Sequence, residues 1–123
     1  MLDAARAFQG FAVNDLDRAK QFYAETLGID VGEEGPGLTL KVGGGTPVFI
    51  YPKEDHEPAS FTILNFPVDD VGKAVDELAG RGVEFERYEG FDQDEKGIMR
   101  AHGPDIAWFK DPAGNVLSVI SAE

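Results

Sequence analysis

The sequence predicts an α+β fold of two βαβββ modules, whose curled mixed sheets form one cleft. A nine-residue pattern over 11–19 recurs over 66–74, a shift of 55 residues. Apolar residues follow each copy at helical spacing, and β-prone segments follow each helix. Because 123 residues is the length of one ordinary domain, we expect a single domain over 1–123, with modules at about 1–55 and 59–123.

The first module begins with a strand around 11–13 that leads into a helix. Asp15 can cap this helix, because a carboxylate oxygen accepts hydrogen bonds from the unpaired N–H groups of the first turn. The predicted helix ends at Gly28 and has one apolar face, formed by Leu16, Ala19, Phe22, Tyr23 and Leu27. Strands are then predicted at 29–32, 38–42 and 48–51, with the turn Gly43-Gly44-Gly45-Thr46 before the last one.

The second module repeats this order. Asp70 takes the capping position, and the helix ends near 80–82 after an apolar face of Val71, Ala74, Val75 and Leu78. Strands are predicted at 83–88, 106–110 and 116–120, and the turn Asp111-Pro112-Ala113-Gly114-Asn115 joins the last two. Matching Gly45 to Gly114 gives a shift of 69, so the second module carries an insertion of fourteen residues. We place it at the polar stretch 89–97 and expect this loop to border a site.

Composition excludes several kinds of chemistry. With no cysteine, the chain has no disulfide, no thiolate metal site and no cysteine nucleophile. Twenty-three acidic residues against eleven basic ones give a net charge of -12, and the basic residues are scattered, so we expect no binding to nucleic acid. The apolar runs are too short for a membrane span, and the first eight residues contain no apolar signal region. We therefore expect a soluble cytoplasmic protein.

Two motifs resemble those of a known superfamily. The pattern Phe11-x-Val13-x-Asp15-Leu16-x-x-Ala19-x-x-Phe22-Tyr23-x-x-x-Leu27-Gly28 resembles the opening of vicinal-oxygen-chelate proteins, which include glyoxalases, bleomycin-resistance proteins and extradiol dioxygenases. The stretch 107–117, Ala-Trp-Phe-Lys-Asp-Pro-Ala-Gly-Asn-Val-Leu, resembles their closing hairpin. The resemblance covers essentially the whole chain. It implies the glyoxalase/bleomycin-resistance/dioxygenase-like fold, often assembled as a homodimer.

The resemblance also assigns four positions to metal ligands. Metal-using relatives hold a divalent cation on His, Gln or Glu side chains from the first and last strand of each module. The corresponding positions in this chain are Phe8, Phe49, Ile63 and Ser118. Two rings and an isoleucine have no donor atom for a divalent cation, which prefers carboxylate, carbonyl, water or imidazole ligands. We therefore expect no metal and no other cofactor.

Strand alternation from these positions predicts which side chains line the cleft. The core side should hold Phe11, Val13, Phe66, Val68, Leu117 and Val119, and the cleft side mainly apolar and aromatic residues, as in small-molecule pockets. Met99 and Trp108 lie close enough in the strand pattern to contribute to the cleft lining. His102 can act as a general base if its side chain lies over the cleft. The predicted ligand-binding residues are Phe8, Phe49, Tyr51, Ile63, Asn65, Met99, His102, Trp108 and Ser118.

These observations leave three functions open. The first is metal-independent binding of a small apolar or aromatic organic molecule, as resistance-type relatives bind their ligands by sequestration. The second is an enzyme, namely a glyoxalase- or dioxygenase-like lyase, isomerase or oxygenase, for which no catalytic residues are identified. The third is a structural dimer without a ligand. No nucleophile, base and orienting group occur as a set, which favours the first function over the second.

Overall fold

The computed structural model describes residues 1–43 and 45–122, so Gly44 of the predicted turn at 43–46 lies outside the described residues. The chain divides into two compact units, Met1–Glu57 and Pro58–Glu123. Each unit contains one mixed sheet and one principal helix, so the α+β prediction is confirmed. In the described part of the chain, no helix is long and apolar enough to cross a membrane.

The first unit has a four-stranded sheet and a helix. Its elements are a 3-10 helix at Ala4–Arg6, β1 at Gly10–Val13, α1 at Leu16–Gln21, a π-helical turn at Phe22–Thr26, β2 at Val31–Glu34, β3 at Gly37–Leu40 and β4 at Val48–Pro52. The strand order is β1-β4-β3-β2, with β1 parallel to β4 and the other pairs antiparallel. This is the predicted βαβββ order.

The helix of the first unit begins and ends where the sequence predicts. The side chain of Asp15 accepts a hydrogen bond from the backbone N–H of Arg18 at 3.1 Å, and Gly28 ends the helix with a φ of 72°. The last turn is wider than an α-helix, because the N–H of Leu27 bonds to the carbonyl of Phe22, five residues back. Tyr23, in this turn, is fully buried.

The second unit has a three-stranded sheet. Its elements are β5 at Thr62–Val68, α2 at Val71–Gly80, β6 at Ile106–Lys110 and β7 at Val116–Ser121. The strand order is β5-β7-β6, with β5 parallel to β7 and β6 antiparallel to β7. Asp70 caps α2 by accepting a hydrogen bond from the N–H of Lys73 at 3.1 Å, and Gly82, with a φ of 95°, follows its end.

The prediction of a strand at 83–88 is wrong. Within the described residues, strand pairing of this segment is limited to a bridge between Phe85 and Phe109, beside a hydrogen bond from Glu86 N–H to the Trp108 carbonyl at 2.8 Å. The side-chain amide of Gln93 explains the interruption. It accepts from the N–H of Tyr88 at 2.9 Å and donates to the carbonyl of Glu86 at 3.0 Å, so these backbone groups bond to a side chain rather than to a strand.

Each unit has its own buried apolar core. Fully buried side chains include Tyr23, Leu40 and Ile50 in the first unit and Ile98, Phe109 and Leu117 in the second. The predicted core residues Phe11, Val13, Leu117 and Val119 are buried, whereas Phe66 and Val68 are half-buried. Burial also extends to the opposite face of β1 and β7, where Ala12, Val116 and Ser118 are buried.

A buried carboxylate holds the closing hairpin of the second unit. One carboxylate oxygen of Asp111 accepts hydrogen bonds from the N–H groups of Ala113 and Asn115, both at 2.9 Å. Its other oxygen accepts from the Asn115 side-chain amide at 3.0 Å. Gly114 completes the turn with a φ of 90°, a conformation that a residue with a Cβ adopts at a cost. The motif is thus a self-contained hydrogen-bonded turn between β6 and β7.

Replacing Asp111 with Ala should lower the free energy of unfolding by about 2 kcal/mol, because two backbone N–H groups and a buried amide lose their acceptor. Urea denaturation followed by circular dichroism measures this difference. Asp92→Ala is the matched control, since Asp92 is an exposed carboxylate of the same unit. Equal unfolding midpoints for the two variants would contradict the role assigned to Asp111.

Candidate functional site

The first unit has a pocket of about 360 Å³ near the start of β1 and the middle of β4. Phe8, which is 66% exposed, and the half-buried Phe49 contribute its rings. The other lining residues are Arg6, Glu34, Thr39, Gly45, Thr46 and Pro47. The structure therefore brings together two of the residues that the sequence assigned to the cleft.

The ring of Phe49 lies in a packed environment. It stacks on Tyr51 with a centroid distance of 6.3 Å and an angle of 18° between the ring planes. On the neighbouring strand, Gly37 leaves room for it, because a Cβ at this position would lie 2.9 Å from Cζ of Phe49 and 2.2 Å from the Ile50 carbonyl oxygen. Gly37 is therefore required for this packing, which the sequence analysis did not recognise.

The second unit has a pocket of about 270 Å³, which we call the aromatic pocket. Its lining residues are Ser60, Phe61, Thr62, Tyr88, Phe91, Trp108 and Val116. The rings of Tyr88, Phe91 and Trp108, here called the aromatic triad, contact one another in tilted or edge-to-face geometry. Their centroids lie 5.4 to 5.6 Å apart, a favourable arrangement for aromatic pairs.

A β-bulge decides which residue of β5 faces the aromatic pocket. The register shifts between Thr62, which lies opposite Val116, and Leu64, which lies opposite Leu117. Thr62 therefore shares the pocket side of the sheet, where its hydroxyl oxygen accepts a hydrogen bond from the Trp108 indole N–H at 3.1 Å. The strict alternation that assigned this place to Ile63 does not hold across the bulge.

Ser118 is already hydrogen-bonded within the protein. Its side chain is fully buried, and its hydroxyl donates to the side-chain carbonyl of Asn65, the residue opposite it on β5, at 2.5 Å. A ligand would reach Ser118 only after displacing this contact. Asn65 itself is exposed.

Two further predicted residues lie beside the insertion. Met99 is half-buried, and its backbone exchanges hydrogen bonds with Ile106 at 2.9 and 3.2 Å. His102 lies exposed in a bend at 101–104. Neither belongs to the described residues that line the two pockets.

The insertion supplies rings that the sequence analysis did not assign to a site. Phe91 lies within the insertion and Tyr88 immediately precedes it, and both rings line the aromatic pocket. The expectation that 89–97 borders a site named neither ring. A pair of aromatic residues in an otherwise polar insertion is the signal that identifies them.

Charged and polar groups anchor the insertion to the second unit. The Asp94 carboxylate accepts from the N–H groups of Lys96 and Ile98 at 2.9 Å each, and from Nε of Arg100 at 3.1 Å. Burial raises the pKa of Asp94, but these donors together outweigh it and lower the pKa below the ordinary aspartate value. The contribution of the Asp94 charge to these bonds is therefore present at neutral pH and is lost as the pH falls through this lowered pKa.

The side chains at the four family-assigned positions do not suit a divalent cation. Phe8, Phe49 and Ile63 carry no side-chain donor, and the Ser118 hydroxyl bonds to Asn65. Among residues 1–43 and 45–122, no group of three or more His, Cys, Asp or Glu side chains is arranged to hold a metal ion. A divalent cation at these positions would lack the oxygen or imidazole ligands that it needs.

Comparisons with known proteins agree with this architecture. The family model described as Glyoxalase/Bleomycin resistance protein/Dioxygenase superfamily matches residues 6–119. No curated protein matches the chain. Among solved structures, TnmS3, an antibiotic binding protein from Streptomyces sp. CB03234, has 26% identity and a TM-score of 0.66, with 95% of this chain and 96% of that chain covered.

Two structures of lower identity show the same fold. A glyoxalase family protein from Enterococcus faecalis has 22% identity and a TM-score of 0.68, with coverage of 93% of this chain and 94% of that one. The fosfomycin resistance protein FosX from Mesorhizobium loti has 15% identity and a TM-score of 0.66, with coverage of 95% and 91%.

Replacing Thr62 with Val should remove the acceptor of the Trp108 indole N–H and lower the free energy of unfolding by about 1 kcal/mol. Because Trp108 is the single tryptophan, its fluorescence emission should change as well. Thr62→Ser should retain the emission, since it keeps the hydroxyl. Ser60→Ala removes an exposed hydroxyl from the same pocket and is the control. Identical spectra for wild type and Thr62→Val would disprove the contact.

Proposed function

The chain belongs to the Glyoxalase/Bleomycin resistance protein/Dioxygenase superfamily, and we propose that it is a metal-independent member that binds a small apolar or aromatic organic molecule. One observation carries this proposal. Positions that hold metal ligands in metal-using relatives carry Phe8, Phe49 and Ile63, and rings line a pocket in each unit. Rings combined with a small number of polar groups are typical of small-molecule sites, and the aromatic pocket has this composition.

Ligand binding requires fewer chemical groups in a pocket than catalysis does. A ligand is held by shape, apolar surface and a few hydrogen-bonding groups, whereas a reaction also needs a metal or a nucleophile and base in contact. His102, the histidine considered as a base, lies exposed in a bend and is not among the described residues that line either pocket. The relative TnmS3, at 26% identity, is described as an antibiotic binding protein, which supports sequestration rather than turnover.

We propose that the predicted ligand-binding residues contact the ligand, each set considered within its own unit. The contacting residues would be Phe8, Phe49, Tyr51, Ile63, Asn65, Met99, His102, Trp108 and Ser118, with Thr62, Tyr88 and Phe91 added from the aromatic pocket. A homodimer and a cytoplasmic location stay predictions, the former from the resemblance and the latter from the composition.

Metal independence predicts the metal content of the purified protein. We expect well under one bound metal per chain, both as isolated and after incubation with zinc, nickel, manganese or iron, because the family-assigned positions lack donors. Elemental analysis after gel filtration measures the ratio. A stoichiometric metal that is lost in Ser118→Ala would contradict the proposal, and Ser60→Ala serves as the control.

Ligand binding predicts the behaviour of Phe49→Ala. A member of a library of aromatic and apolar compounds should raise the melting temperature of the wild type, because a ligand that binds the folded state stabilises it. The same compound should raise the melting temperature of Phe49→Ala much less. The variant should remain folded in the absence of the compound. Leu2→Ala, which truncates a side chain that is 93% exposed, should behave as the wild type does.

A different result is expected if Phe49 has only a structural role. If Phe49 only fills space, its truncation should cost about 3 to 5 kcal/mol, as for buried rings. A silent library together with that cost would replace the binding function with a structural dimer that has no ligand.

A further inference from the structure

We propose that the aromatic pocket of the second unit recognises an organic cation, whose ammonium group lies against the aromatic triad and Phe61. This inference rests on the proposed function and specifies the charge of the ligand. It comes from the rings that line the pocket and from the charges around it.

Aromatic rings make up much of the lining of this pocket. Four of the residues that line the pocket are aromatic, and the triad centroids lie 5.4 to 5.6 Å apart. A cation is attracted to an aromatic face within about 6 Å of its centroid, so an ammonium group in a pocket of this size can contact more than one ring. Phe61 is 69% exposed and Phe91 is 47% exposed, which leaves their rings accessible to a ligand.

The pocket has no positive side chain for an anionic ligand. Its described lining residues include no Lys, Arg or His. Two basic residues close in sequence to the lining are engaged elsewhere, because Arg87 donates to the carbonyl oxygens of Asp94 and Glu95 and the Lys110 ammonium lies 3.8 Å from the Glu86 carboxylate. A carboxylate or phosphate in this pocket would therefore lose its hydration without a compensating charge.

The surrounding charge is negative. Between 84 and 96 the chain carries six carboxylates and two basic residues, within a protein of net charge -12. The exposed carboxylates of Glu89 and Asp92 flank Phe91 in sequence. Burial raises the pKa of Tyr88, and the nearby Glu86 carboxylate raises it further, which is consistent with negative potential at this ring. This field attracts cations and repels anions.

The first unit offers a contrast. Its pocket also contains two phenylalanine rings, but it carries both Arg6 and Glu34. These opposite charges do not favour a cation over an anion there, so the inference concerns the aromatic pocket.

Three probes of similar shape separate charge from apolar contact. Benzyltrimethylammonium is the cation, neopentylbenzene is its neutral isostere, and benzenesulfonate is an anion. Each is titrated into the full-length protein while the fluorescence of Trp108, which lies in the pocket, is recorded. We expect the cation to bind at least about tenfold more tightly than the neutral isostere, and the anion to show no saturable binding.

Variants test whether the rings hold the charge. Phe91→Leu keeps an apolar side chain but removes the aromatic face, so it should weaken binding of the cation by about tenfold and affect the neutral probe much less. Leu2→Ala truncates an exposed apolar side chain that lines neither pocket and should alter neither affinity. Thermal shifts with the same probes provide a second measurement, because Phe91→Leu also changes the surroundings of the fluorophore.

Four outcomes would overturn the inference. In three of them the proposed function survives: the neutral probe binds as tightly as the cation, cation affinity is unchanged in Phe91→Leu, or the cation does not bind while library compounds still raise the melting temperature. In the fourth, the probes and the aromatic library are all silent, and both proposals fail.

Discussion

The parallel pairing of the first and last strand in each unit is the constraint on which the rest depends. β1 lies beside β4 and β5 beside β7. Parallel neighbours cannot be joined by a tight turn, so the chain must cross over, and in each unit it first passes through a helix. The pairing also fixes two faces. Phe11 and Ile50 are register partners whose side chains are buried in the core, whereas the adjacent pair, Gly10 and Phe49, belongs to the pocket side of the strand.

In the second unit, a single extra residue changes which side chains share a face of the sheet. The bulge in β5 inserts Ile63 between two paired positions, so Thr62 rather than Ile63 shares a face with Val116. Thr62 then provides an acceptor for Trp108, which orients the indole beside Tyr88 and Phe91. The sheet, the bulge and the insertion therefore build the aromatic pocket together, and a change at Thr62 should alter the pocket through Trp108.

Much of the fold can be predicted from sequence because its signals are local. Asp15 and Asp70 cap their helices, and Asp111 with Asn115 forms its turn, through bonds between residues at most four positions apart. The strand expected at 83–88 fails because Gln93, beyond the segment, bonds to its backbone. The bulge at Ile63 also cannot be recognised from the nearby sequence, since it is defined by pairing with a distant strand. Consequently the core face was predicted well, and the rings of the insertion were not.

The identity of the residues at the family-assigned positions also changes what this fold is able to bind. In metal-using relatives the ion brings positive charge and thereby suits ligands with electron-rich oxygens. The residues at these positions here bring none, and the sequence around Phe91 is rich in carboxylates. A molecule in the aromatic pocket, whose described lining contains no Lys, Arg or His, therefore meets no positive side chain there. An aromatic face is one of the few apolar surfaces that still attracts a cation, so the second unit can combine apolar contact with selection for charge.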